Sequence, residues 1–562
     1  FTLRRRLALL FLSLQNHVER ERVRSHLQYT HTMELQQRKK FIRLYLNLLS
    51  PKAFIAIIFF FAFFLFASND RSLASHRAFH PVLKLPSLSI FPSRLVIEFS
   101  LKNSHLFVDA RVLFPDHVMF ILSGHLYPGQ ILQCVYRSDL TVVVKPPLSP
   151  ADSVVRCPLP PSNYSSEIVV DGNALPYEGE TVSWNRIAYE SLLDTDSVVV
   201  FVKGFNLRAH TISDHRRFRC NFGEEFEVST PAISAAQEVI RCALPQGVKP
   251  QEAIGMRVRV NTVPTVARVA RVEGTGRYGL CGCTMVRNQA LFLKEWVTYH
   301  RWLGVERWFI YDNNSDDDID AVVDALNTEG SNVTLHAWPW IKAQEGGFSH
   351  CAVRAKEVCR WVGFFDVDEF FFFPRRRGQY VPGKGSLTRL VETYSKSPVV
   401  AELRTVCYSY GPSGLREVPK VGVMAGYTCR VQAPERHKSI IRPDRVDATL
   451  LNAVHHFRLR GGYRYVNVPE GAAVLNHYKY QVWETFKSKF EMRASTYVAD
   501  WLEEENRGSR DRVPGLGTSA VEPMNWRFSF CEVWDTGLRD FVYANFADTA
   551  SGTFPWGKSP IH

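Results

Sequence analysis

RYGLCGCTMVRNQALFLKEWVTYHRWLGVERWFIYDNNSDD, residues 277–317, decides the fold. RYGLCGCTMV (277–286) reads as a strand. QALFLKEWVTYHRWLG (289–304) then places Leu293, Trp296, Val297, His300 and Leu303 on one helical face, with Gly304 as the stop. RWFIYD (307–312) is a second strand, and SDDDIDAVVDALNTEG (315–330) is a helix whose acidic first turn suits the helix dipole. The alternation continues downstream. NVTLHAW (332–338) is a strand, EGGFSHCAVRAKEVCR (345–360) a helix, and WVGFFDVD (361–368) a strand. Strand and helix in strict turn are the signature of a mostly parallel sheet with helices on its faces.

In such a sheet ligands bind at the carboxyl ends of the strands. The first strand ends in Arg287-Asn288, the second in Asp312-Asn313-Asn314, the third in Trp338-Pro339-Trp340 and the fourth in Asp366-Val367-Asp368-Glu369. Asp-x-Asp at a strand end turns two carboxylates one way, which suits a divalent cation bridging a diphosphate. The bland alternative is carboxylates capping the next turn or pairing with Arg375–Arg377. VVAELRTVCYSYGPSG (399–414), ERHKSIIRP (435–443), HH (455–456) and LNHYKY (475–480) are expected to complete the site with hydroxyls, cations and imidazoles. Trp338, Trp340 and Tyr408 are candidates to stack on sugar faces, although core packing is the better reading of any one of them.

Two motifs are decoys. GTGRYG (274–279) precedes a strand, where a dinucleotide loop must follow one. DNNSDD (312–317) has Asp317 where a calcium loop needs Gly. Cys281, Cys283, Cys351 and Cys359 lack zinc-site spacing and read as disulfide or core.

Working outward, residues 93–270 are β-rich: short Val/Ile/Phe runs are cut by Pro, Gly and Asn-Asp turns. They carry an internal echo. QCVY (133–136) is followed by VVRCPLP (154–160), and RCNF (219–222) by VIRCALP (239–245). We expect one β-sandwich with disulfides Cys134–Cys157 and Cys220–Cys242, each stabilising by ~3 kcal/mol. Further out, AFIAIIFFFAFFLFA (53–67) follows Arg38, Lys39, Lys40, Arg43 and Lys52, which places the N-terminus in the cytosol and the bulk of the chain in a lumen. A cleaved signal peptide is the rival. Eleven cysteines agree with a lumen, as do sequons at Asn163, Asn313 and Asn332. The expected order is a cytosolic tail (1–50, with Met33 as the start and 1–32 outside the natural protein), an anchor (51–68), a stem (69–92), the β module (93–270), the α/β domain (271–545) and a tail (546–562).

The chain has 562 residues, enough for about two to four domains. Its net charge of +12 suits an acidic partner such as a nucleotide, a polyanion or an anionic membrane. No basic helix interleaved with stacking aromatics argues for nucleic acid. Removing the two expected bridges leaves seven cysteines; one thiol is therefore free or pairs between chains, which permits a homodimer.

The stretches 283–317 and 350–374, with YSYGPSG, HKSIIRP and LNHY, resemble glycosyltransferase family 92, closest to its plant β-1,4-galactan galactosyltransferases. The paired-cysteine β segment resembles the carbohydrate-binding module of those enzymes. The resemblance implies a GT-A fold, a single-pass type II Golgi membrane protein, UDP-galactose as donor, β-1,4-galactan as acceptor and Mn²⁺ as cation. It implies Asp366, Asp368 and His477 as metal ligands, and Arg287, Asn288, Asp312, His350 and Lys438 on the donor. Tyr408, Gly411 and Ser413 are the acceptor candidates. An inverting transfer also needs a base for the acceptor hydroxyl. Glu435 is chosen, with Glu402, Glu369 and Asp444 open. A non-catalytic polysaccharide-binding protein and a transferase for another sugar are the alternatives.

Overall fold

The computed structural model describes residues 106–490 and 522–557, apart from short internal stretches at 125, 127–128, 139–140, 146–148, 152, 178, 206–210, 273–276, 342, 375–382 and 454. The expected N-terminal tail, anchor and stem lie outside these, as do Arg375–Arg377 and the first half of the GTGRYG motif. Among the described residues no helix is long and apolar enough to cross a membrane.

The β-rich segment forms two units rather than the one sandwich expected. In the first, a five-stranded sheet that includes Val108–Leu113, His117–Leu122 and Val154–Pro158 accompanies a four-stranded sheet that includes Leu132–Arg137 and Ser165–Val170. Cys134–Cys157 joins the two sheets through a core of Val118, Phe120, Tyr136 and Ile168. The second is a closed barrel of seven strands from Ala188–Asp194 to Ala267–Ala270, stapled by Cys220–Cys242. The physical reason lies in the echo: each repeat carries its own disulfide and its own buried Val/Ile/Phe set, so each closes its own core.

The α/β part is a nine-stranded sheet. Val333–Ala337, Arg307–Asp312, Tyr278–Val286 and Cys359–Phe364 run parallel in that order. Arg436–Ile441 then pairs antiparallel to Cys359–Phe364, and Val400–Ser409 antiparallel to Arg436–Ile441. Val474–His477 lies parallel to Val400–Ser409, and Glu369–Phe372 closes the edge antiparallel to it. The fourth strand ends at Phe364, earlier than expected. Residues 365–368 turn, and the Phe-rich run becomes the separate edge strand.

The three expected helices form at Ala290–Leu303, Ile319–Thr328 and Gln344–Ala355. Leu293, Trp296, Val297, His300 and Leu303 are all buried, and Gly304 closes the first helix at φ 109°, a conformation that favours glycine. That helix braces the edge strand: Trp296 Nε1 donates to the Glu369 carbonyl at 3.0 Å and Tyr299 Oη to the Phe371 carbonyl at 2.6 Å. Cys281–Cys359 links neighbouring strands, and Cys283–Cys351 ties the central strand to its helix. Cys429–Cys531 is the fifth bridge. The remaining thiol, Cys407, is buried and cannot reach a second chain, which removes the cysteine argument for a dimer.

The β units are not loosely hung modules. One continuous core contains Val112, Phe114 and Met119 of the first unit, Tyr189, Leu192 and Phe201 of the barrel, and Tyr311, Trp338, Trp340 and Phe348 of the α/β sheet.

Candidate functional site

The strand register gathers one set of polar side chains at one rim. Glu369 pairs with His477, and Ser409 stands opposite His477 on the other side. Lys438 lies one residue beyond Ser439, the partner of Phe364. The Asp366–Asp368 turn therefore meets Lys438, His477 and Ser409. Its backbone is fixed from within: Asp366 N–H donates to Glu369 Oε2 at 2.8 Å, and Tyr478 N–H to the Asp368 carbonyl at 2.8 Å.

Each aspartate is matched to a cation. Lys438 Nζ lies 2.7 Å from Asp366 Oδ2 and 2.9 Å from Glu369 Oε1, and His455 Nε2 lies 3.7 Å from Asp366. Asp368 has Lys489 Nζ at 2.8 Å and His477 Nε2 at 3.5 Å. Burial pushes the Asp366 carboxyl up, but Lys438 and then His455 outweigh it and hold it below the usual range. Burial is likewise overcome at Asp368 by Lys489 and His477, and its carboxyl sits well below the usual range. At Glu369 burial wins over Lys438, with help from the neighbouring aspartates, and its carboxyl rises to about 7.

Carboxylate oxygens and an imidazole nitrogen are a donor set that suits a divalent cation. Asp368 and His477 already face each other. Asp366 is turned to Lys438. Among the described residues, the group of three acidic, His or Cys side chains whose ligand atoms all lie within 4.8 Å is Glu190, His336 and His350. A cation at the rim must therefore draw Asp366 away from Lys438.

The candidate bases separate. Glu435 is partly exposed and receives a short hydrogen bond from Ser409 Oγ, with Lys479 Nζ at 3.7 Å. Glu402 is buried and consumed by Arg404, Ser439 and His456. Asp444 pairs with Arg445 beyond the far end of the 436–441 strand, away from the rim. Glu369 is fully buried.

At the other end of the rim, Asp312 caps its own turn through Ser315 N–H at 3.1 Å, and burial raises its carboxyl. Asn288, at φ 52°, holds the same loop: Ser315 Oγ accepts from its N–H and Asp316 N–H donates to its Oδ1. Arg287 stands at the end of its strand among charges that sequence reasoning had not placed there. Buried Arg156, from the first β unit, interacts electrostatically with Asp316, Arg287 and Asp312.

Several expected residues are elsewhere. His350 is 1% exposed, with Nδ1 2.8 Å from Tyr311 Oη and its ring against His336, Trp338 and Phe201 in the core shared with the barrel. Its place in that core leaves it no route to a donor sugar, and burial, reinforced by His336 and Arg354, holds its imidazole well below the usual range. Trp338 and Trp340 are buried in the same core. Tyr408 projects from the face opposite Ser409 and donates to Glu470 at 2.7 Å. Ser413 Oγ accepts from Thr428 and Cys429 N–H, and a Cβ on Gly411 would meet the Ser529 carbonyl at 2.6 Å. Both hold a loop, which explains the Gly/Ser composition without an acceptor. His455 falls in the HH pair expected to supply an imidazole, whereas Lys489 and Arg156 were missed because they lie far from the rim motifs in sequence and no local pattern marks them.

Residues 276–506 match the sequence profile of glycosyltransferase family 92. A family 92 protein of Ricinus communis is 53% identical over 94% of this chain and 100% of its own. A galactan β-1,4-galactosyltransferase of Arabidopsis thaliana is 28% identical over 36% of this chain and 40% of its own. Among solved structures, a mannosyltransferase of Pyrobaculum calidifontis in complex with GDP-Man and Mn²⁺ aligns over 42% of this chain and 66% of that one, at 14% identity and a TM-score of 0.23.

Proposed function

This chain belongs to glycosyltransferase family 92, and from that premise we propose that it is an inverting, metal-dependent transferase that moves galactose from UDP-galactose to the end of a β-1,4-galactan chain. The observation that carries the site is the convergence of Asp366, Asp368, Lys438 and His477 on one rim, with Glu435 reached through Ser409. The galactose donor and galactan acceptor rest on the 28% relative.

Asp366, Asp368 and His477 would hold Mn²⁺, which when bound neutralises the diphosphate of the leaving nucleotide. Arg287, Asp312 and Arg156 line the end of the rim where the nucleotide would lie in a GT-A arrangement. Lys438, released from Asp366 as that carboxylate turns, is placed to meet a phosphate oxygen. Glu435 takes the proton of the acceptor O4 hydroxyl as that oxygen bonds to the anomeric carbon. The bond from that carbon to the phosphate oxygen breaks, and UDP leaves. One in-line displacement converts the α-linked donor to a β-linked product.

Five disulfides suit an oxidising lumen, and we place the enzyme in the Golgi with its N-terminal apolar segment as anchor. The test is incubation with Mn²⁺, a galacto-oligosaccharide and a panel of UDP-sugars. Elongation with UDP-galactose alone supports the reading. Elongation with a different sugar keeps the transferase and replaces the donor. Glycan binding without transfer to any acceptor contradicts it.

A further inference from the structure

We infer that Glu190, His336 and His350 form a second metal site, for a zinc-class transition ion, that clamps the barrel to the transferase sheet. The three residues come from three elements: the barrel strand Ala188–Asp194, the sheet strand Val333–Ala337 and the helix Gln344–Ala355. Their ligand atoms lie within 4.8 Å of one another, with His336 Nε2 3.9 Å from Glu190 Oε1. His350 is 1% exposed, and its Nε2 has no hydrogen-bond partner; the buried Nε2 of His336 has none either. Two orphaned imidazole nitrogens beside a carboxylate are costly to bury unless something accepts their lone pairs.

The surroundings favour a metal over a proton. Tyr311 Oη occupies Nδ1 of His350 at 2.8 Å, which fixes the ring and directs Nε2 into the cluster, as a supporting group does at established metal sites. The His336 and His350 rings stack at 5.0 Å, so modest tilts bring their nitrogens together. Tetrahedral coordination at ~2.05 Å needs ligand atoms about 3.3 Å apart. Two imidazoles and one carboxylate select zinc or a similar transition ion over calcium or magnesium, with water in the fourth position. Glu190 and His336 side chains are about a quarter exposed, which gives an entry path. Arg354 adds a positive charge near both imidazoles, and Glu190 supplies the carboxylate of the cluster. The site is separate from the Asp366–Asp368 rim, and its failure would leave the transferase reading untouched.

The experiment uses the full chain, stripped with chelator and dialysed against zinc alone, with metal measured by mass spectrometry. An Asp366→Asn/Asp368→Asn double variant should keep one zinc per chain. His336→Gln and Glu190→Gln, added to that background, should each lose it. Tyr311→Phe should weaken it about 10–100-fold. Cobalt substitution should give the visible absorption of a tetrahedral site, absent from Glu190→Gln. If His336→Gln fails to fold, Glu190→Gln, at a partly exposed position, decides alone. Zinc absent from the double variant, or retained at full stoichiometry in Glu190→Gln, overturns the proposal.

Discussion

Asp368 is the residue on which the proposed chemistry depends most: Lys489 and His477 outweigh burial and hold its carboxyl well below the usual range, and it is only 14% exposed. Asp368→Ala should lower turnover by about 10²–10³-fold, with the fold intact by circular dichroism. Lys489 competes with any cation for the same carboxylate. Lys489→Met should therefore reduce the Mn²⁺ concentration for half-maximal activity, and an unchanged requirement would remove Asp368 from the metal. Glu435 and Glu402 should part company. Glu435→Gln is expected to cut kcat about 10²–10⁴-fold at nearly constant KM. Glu402→Gln disturbs a buried ion pair worth about 3–5 kcal/mol when broken, and should show as a lower denaturation midpoint. Asp-x-Asp was legible in sequence as a motif, although it lies in a turn after Phe364 rather than at a strand end, and LNHY through the family resemblance. Lys489 was not, since the contact joins residues 121 apart.

At the scale of elements, the helix Ala290–Leu303 supports the edge strand through His300, whose Nδ1 lies 2.8 Å from the Trp296 carbonyl and whose Nε2 accepts from Phe371 N–H at 3.3 Å. Burial lowers its imidazole to about 3, with the Trp296 carbonyl opposing. The unfolded chain takes up this proton near pH 6.5 and the folded chain does not, so this group's share of stability is complete above that pH and falls as pH drops toward 3. Between pH 7 and pH 5 the loss is about 2 kcal/mol. Urea titrations at both values should show it, and His300→Gln should reduce the difference. Strands and helices of the parallel half were readable because 3.6-residue and unbroken apolar patterns alternate there. The turn at 365–368 was not. FFDVDEFFFF is apolar on both sides of the carboxylates, so pattern alone cannot say where one strand stops and the next begins.

For the whole molecule, the shared core means that the β units and the transferase sheet fold together. Residues 271–562 expressed alone would expose the Trp338, Trp340 and Phe348 surface. They should lack a cooperative unfolding transition; a stable, active fragment would contradict the shared core. Sequence composition separated the β-rich half from the α/β half, but packing between elements far apart in the chain leaves no local trace. Burial also sorts the three sequons. Asn313 and Asn332 spend their side-chain amides on Trp338, Trp340 and Tyr278, whereas Asn163 is exposed in a turn. Secreted protein should carry one N-glycan, lost in Asn163→Gln by mobility shift. The most direct measurement of the central claim is calorimetric titration of UDP into the chain with and without Mn²⁺, for the native protein and for Asp368→Asn. Binding that requires Mn²⁺ and vanishes in Asp368→Asn is the predicted result, and UDP binding indifferent to both would contradict the account.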